Sequence, residues 1–241
     1  MRSRTSSTPS PHASHAERSP EVDAARSTGA VSSGGDRISV GPGAIWLRSF
    51  LSPERQQSIA ETALALLNGP HGGYVPTVRG GGKMHVRMLC LGRHWNPLTY
   101  RYDTTRADHD GAPVAPIPEE WIDVARAAAH EAAFDVRPDV CLINFYEGDG
   151  RMGVHQDKDE SPASIAAGLP IVSLSLGDSA RFLFGGLRRR DPMETIWLES
   201  GDAFVFGGPA RLRYHGVSRI VPSMSAPVQI GGRLNLTFRA Y

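Results

Sequence analysis

From Val140 onward the chain is a succession of short β-type runs, and this leaves few folds open to it. CLINFY, PIVSLSL, ARFLFGG, TIWLES, AFVFGG and LNLTFRAY follow one another, separated by Gly, Pro and Asp turn signals. Strands of this length with such punctuation predict an antiparallel sandwich or jelly roll. Folds of that kind can enclose a polar site between two sheets. No internal repeat is evident.

Ahead of these runs the periodicity is helical. In LSPERQQSIAETALALLNG, Ser52 can cap a helix and Pro53 suits its first position. Ile59, Ala63, Leu66 and Leu67 recur at helical spacing before Asn68-Gly69 ends the run. A second amphipathic helix is predicted from about Pro118 to Ala133, with Trp121, Val124, Ala125 and Ala128 on one face. Both read as packing helices. The fold class is therefore α+β, mainly β, with N-terminal helices.

Residues 1–36 are rich in Ser, Pro, Ala and Gly and poor in large apolar side chains, so burial there does not offset the entropy of ordering. We read them as a disordered tail. The opening MRSRTSSTPSPHASH carries no acid before Glu17, as a transit peptide would, but its prolines interrupt any amphipathic helix. The 241 residues then leave one domain, over 37–241, rather than two of minimal size.

A net charge of +1 excludes an overall basic wrap around a polyanion, so any such contact must come from a local patch. Cys90 and Cys141 are far apart and form no CxxC pair, which argues against a disulfide framework or a thiolate zinc site and fits a reducing cytoplasm. No apolar stretch approaches the roughly 20 residues of a membrane span. A soluble, cytoplasmic monomer is expected.

Two features of the β-rich half point to chemistry. In VHQDKDE, His155 and Asp157 are two apart, so on an extended strand both point to one face. An imidazole, a carboxylate and a distant second imidazole form the facial triad of non-haem Fe(II) oxygenases. His215, in RYHGV, is the candidate third ligand. Taken singly, the triplet also reads as a solvated turn and His215 as an ordinary hydrogen-bonded histidine.

In GGRLNLTFRAY, Arg233, Asn235, Thr237 and Arg239 share one strand face and Leu234, Leu236 and Phe238 the other. That is the pattern of any half-buried strand, polar outside. It also suits a dicarboxylate, which a guanidinium matches bidentately. Asn144 and Tyr146 in LINFYEGDG repeat the alternation and could hydrogen-bond the same anion.

The order and wording of NFY, HQDKDE, PIVSLSLG, FLFGGLRRRDP, LESGDAFVFGG, YHGV and RLNLTFR closely resemble the bacterial AlkB family of 2-oxoglutarate dioxygenases. The resemblance is dense from about Val140 to Tyr241 and thins toward the N-terminus. It implies a double-stranded β-helix with a core over about 138–241 and a nucleotide-recognition lid over about 72–110. By the same resemblance His155, Asp157 and His215 bind Fe(II). Arg233, helped by Asn144 and Tyr146, pairs with the distal carboxylate of 2-oxoglutarate, and Asn235 and Arg239 lie nearer the metal.

The resemblance also implies substrate contacts. Trp95 matches a tryptophan that stacks on the damaged base, which suits a flipped cationic ring on an indole face. Asp159 matches an acidic residue beside that base, where a carboxylate favours the positive charge of 1-methyladenine or 3-methylcytosine. Tyr100 and Tyr102 take the place of phosphate contacts. Arg189, within Arg188-Arg189-Arg190, matches an arginine by the substrate strand. Met88 and Cys90 read as core fillers that could border the pocket.

The function so implied is oxidative demethylation of N-alkylated bases in DNA, single-stranded above all, with Fe(II) as metal and 2-oxoglutarate and O2 as co-substrates. Formaldehyde, succinate and carbon dioxide are the products. Two alternatives stay open at this point: a hydroxylase or demethylase of RNA, protein or a small molecule on the same scaffold, and a non-catalytic nucleic-acid binder.

Overall fold

A computed structural model describes residues 35–241; most of the segment expected to be a disordered tail lies outside the described residues. Chain order begins with β1 (Arg37–Ser39), β2 (Ala44–Leu47) and helix α1 (Pro53–Leu67). Next come β3 (Arg87–Leu91), β4 (His94–Asn96), β5 (Arg101–Asp103) and helix α2 (Glu119–Glu131). The second half holds β6 (Val140–Tyr146), β7 (Met152–His155), helix α3 (Pro162–Ala166), β8 (Ile171–Gly177) and β9 (Ser179–Phe184). It closes with β10 (Glu194–Leu198), β11 (Ala203–Phe206), β12 (His215–Val221) and β13 (Arg233–Arg239).

The strands form a jelly roll. A major sheet runs β1-β2-β11-β8-β13-β6-β3 and a minor sheet β10-β9-β12-β7, with every pairing antiparallel. A separate ribbon joins β4 to β5. Two expectations need correction here. The core does not begin near residue 138, because β1, β2 and β3 complete the major sheet, and β3 lies inside the segment expected to be lid. β1 pairs locally with β2, but β2 joins β11 and β3 joins β6 across sequence separations that local patterning does not reveal.

Helix α1 starts where Ser52 accepts a hydrogen bond from the Arg55 N–H, with Pro53 at the first position, and it buries Ile59, Ala63 and Leu67. Helix α2 buries Trp121, Val124, Ala125 and Ala128 as the spacing predicts. Both pack with Leu174, Leu176, Leu234, Leu236 and Phe238 on the back of the major sheet. A second apolar cluster, with Phe182, Phe184, Phe204 and Phe206, fills part of the space between the sheets.

Every residue of β13 is buried. Its apolar face meets the helices, and its polar face, Arg233, Asn235, Thr237 and Arg239, looks between the sheets instead of into solvent. The ordinary reading of that strand, polar outside, is thereby excluded. Among the described residues no helix is long and apolar enough to cross a membrane.

Candidate metal and oxo-acid site

A cavity of about 390 Å³ opens between the sheets. His155 ends β7, Asp157 follows in the loop beyond it, and His215 opens β12 directly across from His155 in the strand register. Asp157 is thus not on the strand, contrary to the simple alternation argument, yet the turn returns its carboxylate to the same point. Its oxygens lie 3.4 Å from His155 Nε2 and 3.5 Å from His215 Nε2. The three donor atoms all lie within 4.8 Å of one another.

The imidazoles are held for this arrangement. His155 Nδ1–H donates to the Gly153 carbonyl at 2.7 Å and His215 Nδ1–H to the Arg213 carbonyl at 3.0 Å. Each Nε2 lone pair is left directed at the centre. Burial pushes the Asp157 carboxyl up, but Arg239 and the two imidazoles outweigh it and hold it well below the usual carboxylate range. Burial and the neighbouring His155 push His215 down, favouring the neutral form that a ligand needs.

Beside this group, Arg239 Nη2 donates to Asp157 Oδ2 at 2.7 Å and Arg239 Nη1 to the Tyr102 hydroxyl at 2.7 Å. Glu160, buried, takes Arg211 Nη2 at 2.8 Å and lies 3.3 Å from Arg239 Nε, while Arg211 Nη1 donates to the Asp157 carbonyl. Glu160 and Arg211 therefore brace the turn that carries Asp157. Sequence reasoning missed both, since nothing local joins residues 51 apart.

Farther along β13, Arg233 is 1% exposed, and its Nε and Nη1 have no partner. Only Nη2 donates, to Ser175 Oγ at 3.0 Å. The buried Asn144 Oδ1 also lacks a donor. Tyr146 lies against the Arg233 guanidinium, 5.5 Å from ring centroid to cation. Asn235 donates to Ser173 Oγ at 2.7 Å and to the Leu174 carbonyl at 3.0 Å.

The remaining expected residues divide. Trp95, Tyr100, Asp159 and Arg189 all line the cavity. Trp95 Nε1–H donates to Asp159 Oδ2 at 2.8 Å, and Tyr100 meets the indole edge-on at 5.9 Å. Arg189 is exposed and donates to the Val154 carbonyl at 2.8 Å. Tyr102 lines the cavity as well, but as a buried wall residue and not as the exposed phosphate contact expected of it. It is 7% exposed, and its hydroxyl is taken by Arg239 and Glu160. Met88 lines the cavity, whereas Cys90 packs beneath it with Met88 and Tyr102.

The ribbon that carries Trp95 has its own anchor. His94 points the other way, to a buried Asp108 carboxylate that also accepts the Tyr74 hydroxyl at 2.7 Å. This network left no sequence signal, its members being spread over 34 residues.

Residues 43–239 match the 2OG-Fe(II) oxygenase superfamily. Over 201 residues the chain is 37% identical to the alpha-ketoglutarate-dependent dioxygenase AlkB of Escherichia coli (strain K12), covering 82% of this chain and 89% of that one. The chain belongs to the AlkB family of this superfamily. It is also 42% identical over 222 residues to the DNA N(6)-methyladenine demethylase ALKBH1D of Arabidopsis thaliana. That match covers 83% of this chain and 50% of the relative, so the chain spans about half the length of the plant relatives it matches. The solved structure of OsALKBH1 superposes with a TM-score of 0.80 at 39% identity, covering 86% of this chain and 100% of that one.

The superfamily's Fe(II) and 2-oxoglutarate fit the residues of this AlkB-family chain. Two imidazoles and a carboxylate are the donor set that non-haem Fe(II) takes, with positions left for further ligands. The unpartnered Arg233 nitrogens call for a buried anion, because an isolated buried guanidinium is costly. The two requirements are met on one pair of facing sheets.

Proposed function

We propose that this protein is an Fe(II)- and 2-oxoglutarate-dependent dioxygenase that removes N-linked methyl groups from nucleic-acid bases. The observation that carries the reading is the sharing of one cavity by the His155, Asp157, His215 cluster and by Trp95 hydrogen-bonded to Asp159. His155, Asp157 and His215 hold the iron. Arg233 pairs with the distal carboxylate of 2-oxoglutarate with help from Tyr146 and Asn144, and Asn235 and Arg239 border its metal-proximal end.

When bound, iron with 2-oxoglutarate and O2 supplies an oxidant for a C–H bond, and succinate and carbon dioxide leave. The hydroxylated methyl group then departs as formaldehyde and restores the base. The chain's own task is positioning and exclusion of water. Trp95 stacks on the flipped base, Asp159 favours positive charge in its ring, and Arg189 and Tyr100 meet the strand at the rim. A single chain supplies every donor, and we take a cytoplasmic monomer acting on single-stranded DNA as the working unit.

The relatives named DNA N(6)-methyladenine demethylases favour a second substrate, in which the methyl sits on a neutral exocyclic amine. One experiment addresses both. Metal-loaded protein with 2-oxoglutarate is given oxygen and single-stranded oligonucleotides carrying 1-methyladenine, 3-methylcytosine or N6-methyladenine, and loss of the methyl mass is followed with formaldehyde release. Demethylation that Asp157→Ala abolishes is the expected result. Succinate without methyl loss from any of the three would move the substrate to RNA, protein or a small molecule.

A further inference from the structure

The outer face of the minor sheet carries a row that the cavity does not use. Trp197 on β10 pairs in register with Arg181 on β9, which pairs with Arg219 on β12. Their neighbours Phe182, Ile196 and Ile220 are buried between the sheets, so alternation turns the three outward. Trp197 stays 41% exposed, with the Arg219 guanidinium 5.7 Å from its ring centroid. Among the described residues neither Arg181 nor Arg219 forms an ion pair. Glu199, exposed two residues beyond Trp197, is outnumbered by them.

This row is connected to the cavity. The β9–β10 hairpin that bears Trp197 and Arg181 turns through Leu187, 58% exposed, and Arg188, Arg189 and Arg190. Arg189 lines the cavity mouth. From Arg181 to the end of β9 is roughly 10 Å of strand. One exposed hairpin thus carries cations at its tip, an apolar side chain beside them, and a cation–indole pair farther down.

We propose that the outer face of this hairpin, with Arg219, is a second nucleic-acid surface, one that holds the unpaired strand flanking the base in the cavity. The chemistry selects such a strand. An exposed indole offers a face on which any base can stack, and the guanidiniums beside it meet the phosphates. An acidic peptide would use the arginines but leave the indole without a planar partner. The proposal rests on the nucleic-acid reading of the cavity, but binding can be measured without turnover.

The test compares fluorescence anisotropy of unmodified single-stranded oligothymidylates of five and twenty nucleotides across a salt series. The proteins are the wild type, Trp197→Ala, Arg219→Gln and Arg181→Gln. Each variant is expected to bind the twenty-mer about tenfold more weakly and the five-mer equally well. Each arginine variant should lower the slope of log K against log salt by roughly 0.7, the value for one phosphate contact on a single strand. Unchanged twenty-mer affinity and slope would overturn the proposal, as would equal losses on both lengths or a wild type that binds neither. Length-dependent losses in a protein that demethylates nothing would uphold this surface while refuting the cavity's proposed reaction.

Discussion

At Arg233 a guanidinium is sealed in the interior with two nitrogens unpartnered. Burial pushes its pKa down to about 10, so it remains charged at neutral pH and its cost is carried until an anion arrives. Arg233→Leu should raise the apparent KM for 2-oxoglutarate about 10- to 100-fold, as loss of a charge-assisted hydrogen bond worth about 1.5–3 kcal/mol implies. The ligand-free protein should melt at the same temperature or higher. Succinate formation and thermal melts with and without 2-oxoglutarate check both, and a large drop in the ligand-free Tm would show that the guanidinium serves structure instead. The face bearing this residue was legible because strand alternation has a period of two. Glu160 and Arg211 were not, because a contact between side chains 51 residues apart leaves no trace in local spacing.

Among the elements, the β4–β5 ribbon stands apart from both sheets and depends on side chains for its place. Successive residues of β4 point opposite ways, Trp95 to the cavity and His94 to Asp108 and Tyr74. Tyr74→Phe leaves an Asp108 oxygen without its donor and should cost about 1–3 kcal/mol of stability. The indole loses its backing, so the KM for a methylated oligonucleotide should rise several-fold while 2-oxoglutarate turnover without nucleic acid stays unchanged. Steady-state kinetics on the two reactions separate these, and equal loss in both would remove the ribbon's anchoring role. The two main helices were readable from their caps and apolar spacing. Strand β12 beyond His215 was not, since a register shift near Val217 and the polar Ser218 and Arg219 break its alternation.

Across the whole molecule, the major sheet separates two apolar layers, and both cysteines lie within them. Burial pushes the Cys90 thiol up to about 12 and Cys141 well above its ordinary value. Neither thiol should react with an aromatic disulfide reagent in native protein, and both should react once it is unfolded. Reaction of either under native conditions would mean that this layer opens. The jelly roll as a class was visible in the β-rich half, but its full extent was not, because β2 finds β11 about 160 residues away. Strand β13 binds these scales together. Leu234, Leu236 and Phe238 belong to the layer beneath the helices, while Arg233, Asn235 and Arg239 face the other way. No position on it can drift without harm to one side or the other. Whatever new substrates descendants of this sequence come to accept, the changes that admit them will be written in the ribbon and the hairpin, around a strand that is not at liberty to vary.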